Sequence, residues 1–251
     1  MKVLGIIPAR YASTRFPGKP LAMIGGKPMI QHVYQRVSAV GAISATMVAT
    51  DDQRIVDCVG GFGGKVMLTS GKHRSGTDRC GEVMQRLGSD ARQYDIVINI
   101  QGDEPFVDAS QLETLIQALR DDASAQIATL KKRIGSTDRL LSHNAVKVVT
   151  DLRGNALYFS REPIPHCRGV EQRLWLNDVA YFKHIGIYAF RRTTLEQLVT
   201  LPQTPLELCE SLEQLRWLEN GYKIAVRETN VENASVDTPE DLSNLIKTLQ
   251  Q

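Results

Sequence analysis

The run Gly5-Ile6-Ile7-Pro8-Ala9-Arg10-Tyr11-Ala12-Ser13-Thr14-Arg15-Phe16-Pro17-Gly18-Lys19-Pro20 decides how this chain folds. Val3 to Ile7 is a short apolar segment suited to a strand buried on both faces, and Pro8, which has no N–H to give a sheet ladder, predicts that the strand stops there. A loop comes next. It carries Arg10, Arg15 and Lys19, the hydroxyls of Ser13 and Thr14, and a Pro-Gly turn. An open α/β sheet has its crevice at this place, so cations and backbone N–H groups would be displayed there to a polyanion, although spacing alone also fits ordinary solvated loop cations. No G-x-x-x-x-G-K-[ST] occurs in the chain, so the backbone cradle of P-loop enzymes is absent.

Outward from this loop, 251 residues suffice for one large α/β domain or a domain with a modest subdomain. The 30 basic and 28 acidic residues leave a net charge of +2 without a block of like charge, so no nucleic-acid arm is expected and affinity for anions must be local. Cys58, Cys80, Cys167 and Cys209 are scattered without a C-x-x-C pair, which argues against zinc and a disulfide framework and reads as reduced core thiols. Pro8 and Arg10 arrive before a signal-peptide core could form, and no apolar run approaches the length of a membrane span. The expectation is a soluble, cytoplasmic protein with no membrane insertion.

Along the chain, Ile30, Val33, Tyr34, Val37 and Val40 give helical spacing over Pro28 to Val40, with Gly41 as a left-handed cap. Met47 to Ala49 reads as a strand, Asp51 or Asp52 caps a helix through Cys58, and Gly60, Gly61, Gly63 and Gly64 read as a helix stop rather than a dinucleotide fingerprint. Val66 to Leu68 is the next strand. In His73-Arg74-Ser75-Gly76-Thr77-Asp78-Arg79, Ser75 or Thr77 caps a helix ending near Gly88, and Arg79 reads as a first-turn surface charge. Asp95 to Gln101 is a buried strand emptying into Gln101-Gly102-Asp103-Glu104-Pro105, which puts Asp103 beyond a strand's carboxyl end, where α/β sheets bind ligands.

After a helix from about Ser110 to Leu119 and a strand from Ile127 to Leu130, strands at Ala145 to Val149, Ala156 to Phe159 and His184 to Phe190 suggest a mixed or antiparallel portion covering the crevice. Pro205 to Asn220 reads as one helix with Leu208, Leu212, Leu215 and Leu218 toward the core and Glu210, Glu213, Gln214 and Trp217 on a solvated face. In Val236-Asp237-Thr238-Pro239-Glu240-Asp241, Thr238 as cap, Pro239 at the first helical position and Asp241 three residues on make a helix start that leaves Asp237 over.

Several of these segments also carry a resemblance. Ile7-Pro8-Ala9-Arg10 with Ser13 to Leu21 resembles the opening of the nucleotidyltransferases that load sialic acid or 3-deoxy-manno-octulosonate (Kdo) onto CMP. The Ser75 to Arg79 element, Gln-Gly-Asp-Glu-Pro, Ser160-Arg161-Glu162-Pro163-Ile164-Pro165, His184-Ile185-Gly186-Ile187-Tyr188 and Leu212-Glu213-Gln214-Leu215-Arg216 are similar to that family in the same order, over nearly the whole chain.

The resemblance implies an open, mostly parallel Rossmann-like sheet with helices on both faces and a smaller mixed or antiparallel lobe. Residues 1–251 would form a single α/β nucleotidyltransferase domain: 1–130 mainly for CTP, 131–230 for the sugar and for homodimerisation, and 231–251 returning to the core. It implies Arg10, Ser13, Arg15, Lys19, Arg74, Ser75, Gly76, Thr77 and Gln101 around the nucleotide, with Arg10, Lys19 and Asp103 in the chemistry. Asp103 and Asp237 would hold Mg2+, and Gln101, Arg161, His184, Tyr188, Glu213 and Gln214 would meet the sugar. The implied substrates are CTP and Kdo, and the product would be activated Kdo for lipopolysaccharide biosynthesis. 8-Amino-Kdo or sialic acid stays open as the sugar, as does a non-catalytic sensor of nucleotide sugars.

Overall fold

The computed structural model describes residues 1–249. Strand β1 (Val3–Ala9) runs on through Pro8, where a stop is expected, to Ala9. The register supplies the reason: Ile6 accepts from Ile100 N–H at 2.9 Å, so Pro8 turns its missing donor to the same side, where the neighbouring strand has already ended at Asn99. The loop after β1 leads through a small antiparallel hairpin, β2 (Met23–Ile24) and β3 (Lys27–Pro28), into α1 (Met29–Ser38). The left-handed cap expected at Gly41 is not formed. Ala39 and Val40 N–H groups close the last turn onto Gln35 and Val37 carbonyls, so no positive φ is needed.

Next come β4 (Ala45–Thr50), α2 (Gln53–Gly61), β5 (Val66–Leu68), α3 (Gly76–Leu87), β6 (Ile96–Asn99) and α4 (Ala109–Asp121). Of the two expected caps for α2, Asp52 is the one used, accepting from Arg54 N–H at 3.0 Å. The helix stops before Gly63, whose φ is +76°. Ser75 and Asp78 form the full capping box that starts α3. The remaining elements are β7 (Ile127–Arg133), α5 (Thr137–Leu141), β8 (Lys147–Thr150), β9 (Ala156–Ser160), α6 (Trp175–Asp178), β10 (Phe182–Arg191), α7 (Arg192–Leu198), α8 (Pro205–Glu210), α9 (Glu213–Glu219), β11 (Ile224–Glu228) and α10 (Pro239–Leu249).

The chain divides into two compact units. The first contains Met1–Glu113, Arg191–Val199 and the segment that opens at Asn233. Its strands β6, β1, β4 and β5 lie side by side in that order, all parallel. Val3, Leu4, Ile6 and Ile7 are fully buried, as expected of a central parallel strand covered on both faces.

The second unit contains Thr114–Phe190 and Thr200–Glu232. Here β7 pairs with β11 in parallel and with β10 antiparallel, while β8 and β9 form an antiparallel pair beside β10. The register of β10 shifts between Ile185 and Tyr188. Thr129 Oγ1 lies 3.1 Å from Ile185 O and 2.9 Å from Ile187 O, so its one hydrogen has a carbonyl acceptor at the bulge in either direction.

The single helix expected over Pro205 to Asn220 is instead two, because Ser211 adopts a left-handed conformation with φ of +53°. Arg161 Nε takes the Glu210 carbonyl at 2.7 Å, and the Glu210 carboxylate accepts from Ser160 Oγ at 2.6 Å and Arg161 N–H at 2.9 Å. These contacts hold the end of α8 where a continuous helix would have passed. The break rotates the second half: Leu208 is exposed, while Gln214 and Trp217, expected on a solvated face, are buried. Two other expectations also change. Cys209 is exposed rather than a core thiol, and Arg79 is buried rather than on the surface.

Candidate active site

In the first unit the loops after β1 and β6 enclose a crevice of about 400 Å³. Of the residues predicted for the nucleotide, Arg10, Ser13, Arg15, Lys19, Ser75, Gly76 and Gln101 line it, as does Asp103. Arg10 is exposed and makes no ion pair among the described residues. Thr77 is buried beneath, accepting from Asn99 Nδ2 at 3.4 Å, and Arg74 is exposed on the preceding loop. Gly102 is required by close approach: a Cβ there would stand 2.7 Å from the Pro8 carbonyl oxygen, so only glycine lets the two loops meet.

Asp103 and Asp237, 134 positions apart, lie together. Lys19 Nζ is 2.7 Å from Asp103 Oδ2 and 3.3 Å from Asp237 Oδ1, and Arg15 reaches Asp237 Oδ1 at 3.0 Å. The backbone makes the juxtaposition, since Val236 N–H donates to Asp103 O at 3.0 Å. A small apolar cluster anchors it. Ile24, Met29 and Val236 are buried there with Phe16, Phe106 and Leu242 against them, so each loop bearing a charged group also sends an apolar side chain into one core. On α10, Asp241 Oδ2 accepts from Thr238 N–H at 2.9 Å and Thr238 Oγ1 from Asp241 N–H at 3.1 Å, the box that leaves Asp237 facing outward from the helix start.

The donor set suits a hard cation. Two carboxylates already converge on one ammonium, their side chains are 29% and 37% exposed, and no group of three or more His, Cys, Asp or Glu placed to hold a metal ion occurs among the described residues. Magnesium, which keeps waters and phosphate oxygens in its octahedron, fits such a two-carboxylate site better than zinc does.

Arg79 was missed as a part of the site. Its guanidinium lines the crevice at 1% exposure, donating to Thr69 Oγ1 at 2.6 Å and Asp51 Oδ2 at 3.1 Å. Asp51 and Thr69 follow β4 and β5, so a buried arginine is neutralised by a carboxylate at one strand end and hydrogen-bonded by a hydroxyl at the other. The available signal was its place in Ser-Gly-Thr-Asp-Arg, beside residues already singled out.

In the second unit, the predicted sugar contacts are built into the packing. Arg161 donates from Nε to Glu210 O, and its two terminal nitrogens reach His143 O at 3.0 Å and Ser211 O at 3.3 Å. Three of its five N–H groups are thus used, leaving two. His184 is buried, and burial followed by the Lys183 charge pushes its pKa down to about 3, so the ring is neutral. Its Nε2 is 2.9 Å from Thr129 Oγ1, whose single hydrogen is claimed by a β10 carbonyl. We therefore assign the ring hydrogen to Nε2, which leaves Nδ1 as an acceptor. Tyr188 packs edge-on against Trp217 at 4.9 Å, and burial, then Glu213, raises its phenol well above the usual range. Glu213 is 3.7 Å from Arg216, and Gln214 is buried beside it on α9.

A family model described as cytidylyltransferase matches residues 4–224. The chain is 54% identical to a 3-deoxy-manno-octulosonate cytidylyltransferase of Phocaeicola vulgatus, covering 100% of this chain and 98% of the relative. It is 53% identical to one of Bacteroides thetaiotaomicron, over 97% and 96%. A solved structure of CMP:2-keto-3-deoxy-manno-octonic acid synthetase complexed with CTP superposes with a TM-score of 0.91 at 44% identity, covering 100% and 99% of the two chains. Among the described residues, no helix is long and apolar enough to cross a membrane.

Proposed function

The chain belongs to the cytidylyltransferase family, and from that premise we propose that it transfers CMP from CTP to the anomeric hydroxyl of Kdo, giving CMP-Kdo and pyrophosphate. The observation that carries this reading is full-length identity of about one half to enzymes named for that reaction. The product is the activated sugar used in lipopolysaccharide synthesis.

In the proposed mechanism the hydroxyl oxygen forms a bond to the α-phosphorus as the bond to pyrophosphate breaks, and the hydroxyl proton passes to solvent. Arg10 and Lys19 compensate the charge growing on the leaving pyrophosphate. Ser13 and Arg15 assist on the same loop, Ser75, Gly76 and Arg74 border the base with Thr77 buried beneath them, and Gln101 is assigned to both nucleotide and sugar. Asp103 and Asp237 would hold Mg2+, whose chemistry is to offset phosphate charge and lower the barrier to attack. Lys19, when the two carboxylates are otherwise engaged, would turn its ammonium toward phosphate oxygens.

For the sugar, we assign the carboxylate to the two N–H groups that Arg161 retains and hydroxyls to His184 Nδ1, Glu213 and Gln214. Because His184 is neutral, it serves as acceptor rather than as a charge. A homodimer through the antiparallel part of the second unit belongs to the same reading and is checked by light scattering. A panel of acidic sugars, each offered with the four NTPs and scored for pyrophosphate, tests the whole. Release confined to CTP with Kdo supports it, and preferential release with sialic acid or 8-amino-Kdo replaces Kdo as the substrate.

A further inference from the structure

Glu104 is the one charged residue of Gln-Gly-Asp-Glu-Pro to which the mechanism gives no work, and the structure gives it a partner. Asn233 Nδ2 donates to Glu104 Oε2 at 2.9 Å and to Gln111 Oε1 at 2.6 Å. All three residues belong to the first unit, and Gln111 is fully buried near the start of α4. A carboxylate only accepts, so the amide nitrogen of Asn233, not its oxygen, must face Glu104. The Asn233 oxygen is buried with no partner among the described residues, so the amide is held by its nitrogen alone.

The two ends of this contact each stand close to a carboxylate of the site. Glu104 follows Asp103 directly, and Asn233 precedes Asp237 by four residues. Between them, the backbone bond from Val236 N–H to Asp103 O ties the same two segments. The segment from Asn233 to Asp237 has no helix or strand of its own, and the bond from Asp237 N–H to Asp241 Oδ2 at 3.0 Å ties Asp237 to the start of α10 but leaves its register against the Asp103 turn to long-range contacts. Lys19 and Arg15 offer attraction, yet an ion pair between partly exposed groups sets no register. A directional amide bond with one permitted orientation does.

We propose that Glu104 and Asn233 are positioning residues: their hydrogen bond, backed by Gln111, registers the Asp237 loop against the Asp103 turn and so sets the spacing of the two carboxylates before any cation binds. This rests on the reading of Asp103 and Asp237 as the cation ligands. Neither Glu104 nor Asn233 touches substrate in it. The clamp acts on affinity for the divalent ion and far less on CTP, because the triphosphate contacts lie on the loop after β1.

Two measurements test it, the first without metal. Hydrogen exchange of the Val236 amide in EDTA-treated protein should quicken about tenfold in Asn233→Ala and in Glu104→Ala, and remain near wild type in Glu104→Gln, whose side-chain oxygen can still accept. Binding of Mn2+ in the presence of CTP, followed by electron paramagnetic resonance, should weaken about tenfold in each alanine variant, with the double variant no weaker than the poorer single. Glu104→Ala covers the case in which Asn233→Ala fails to fold. An unchanged Val236 amide in both alanine variants, or losses that multiply in the double variant, would overturn the clamp. Wild-type protein that binds no Mn2+ with CTP, while Val236 responds as expected, overturns the cation reading and the purpose assigned to the clamp.

Discussion

The two units hold their polar groups in opposite ways. In the crevice of the first, Arg15, Lys19, Asp103 and Asp237 sit on loops at 13% to 64% exposure and neutralise one another. In the second, Arg161 closes three backbone carbonyls, and His184, Tyr188 and Gln214 are buried. Partly exposed ions that pair among themselves can exchange partners at a cost of about 1 kcal/mol or less, so the first arrangement can admit a new ion or phosphate without unfolding. Removing a group whose hydrogen bonds complete the packing leaves its partners unsatisfied, so in the second unit loss of such a group is also a loss of stability.

The sharpest break of this contrast would come at the carboxylates. Asp103→Asn or Asp237→Asn should lower metal-dependent turnover by about 10²- to 10³-fold, while the unfolding free energy moves by no more than about 0.5 kcal/mol. Near wild-type rates in either variant would end the metal assignment. Arg161→Ala should do both kinds of damage, costing about 2–4 kcal/mol in urea unfolding along with activity, and Arg161→Lys should not restore the fork of contacts. An unchanged unfolding midpoint would mean that the three carbonyl contacts carry no stability.

A smaller effect is expected at Lys19→Ala, which should raise the KM for CTP by about tenfold. Calorimetry with Kdo alone should be unaltered; equal losses for both ligands would remove its separate role. The last effect concerns pH and is absent at neutrality. His184 titrates near 3 in the fold against an ordinary value of 6.5, so the unfolded chain takes the proton first as pH falls. Its contribution is therefore complete above pH 6.5 and declines toward pH 3, by at most about 1.4 kcal/mol per unit. His184→Gln should flatten that part of the stability profile, and an identical acid limb in the variant would show that His184 is protonated at no cost.

Legibility followed the range of the interaction. Thr238 with Asp241 is readable because the box closes within three residues, and local spacing narrows the start of α3 to Ser75 or Thr77, of which Ser75 is the cap. β5 was read to the residue, since an apolar run between glycine turns has few alternatives. The reading of Pro205 to Asn220 failed at Ser211, where contacts from Arg161 and Ser160, 50 positions earlier, outweigh a continuous helical pattern. Arg79 failed likewise, because the carboxylate that allows its burial, Asp51, stands 28 residues away.

By itself the sequence determined the strands around β1, the helix start at Thr238 and, through its ordered motifs, the family, because these depend on residues within a few positions or on matching segments in order. Only the tertiary structure decided that Asp103, Asp237 and Lys19 share one place, that Asn233 meets Glu104, and that Arg161 is spent on carbonyls. Such pairings arise when sheet order and burial bring distant segments together, and no local spacing encodes which partner a long-range hydrogen bond will find.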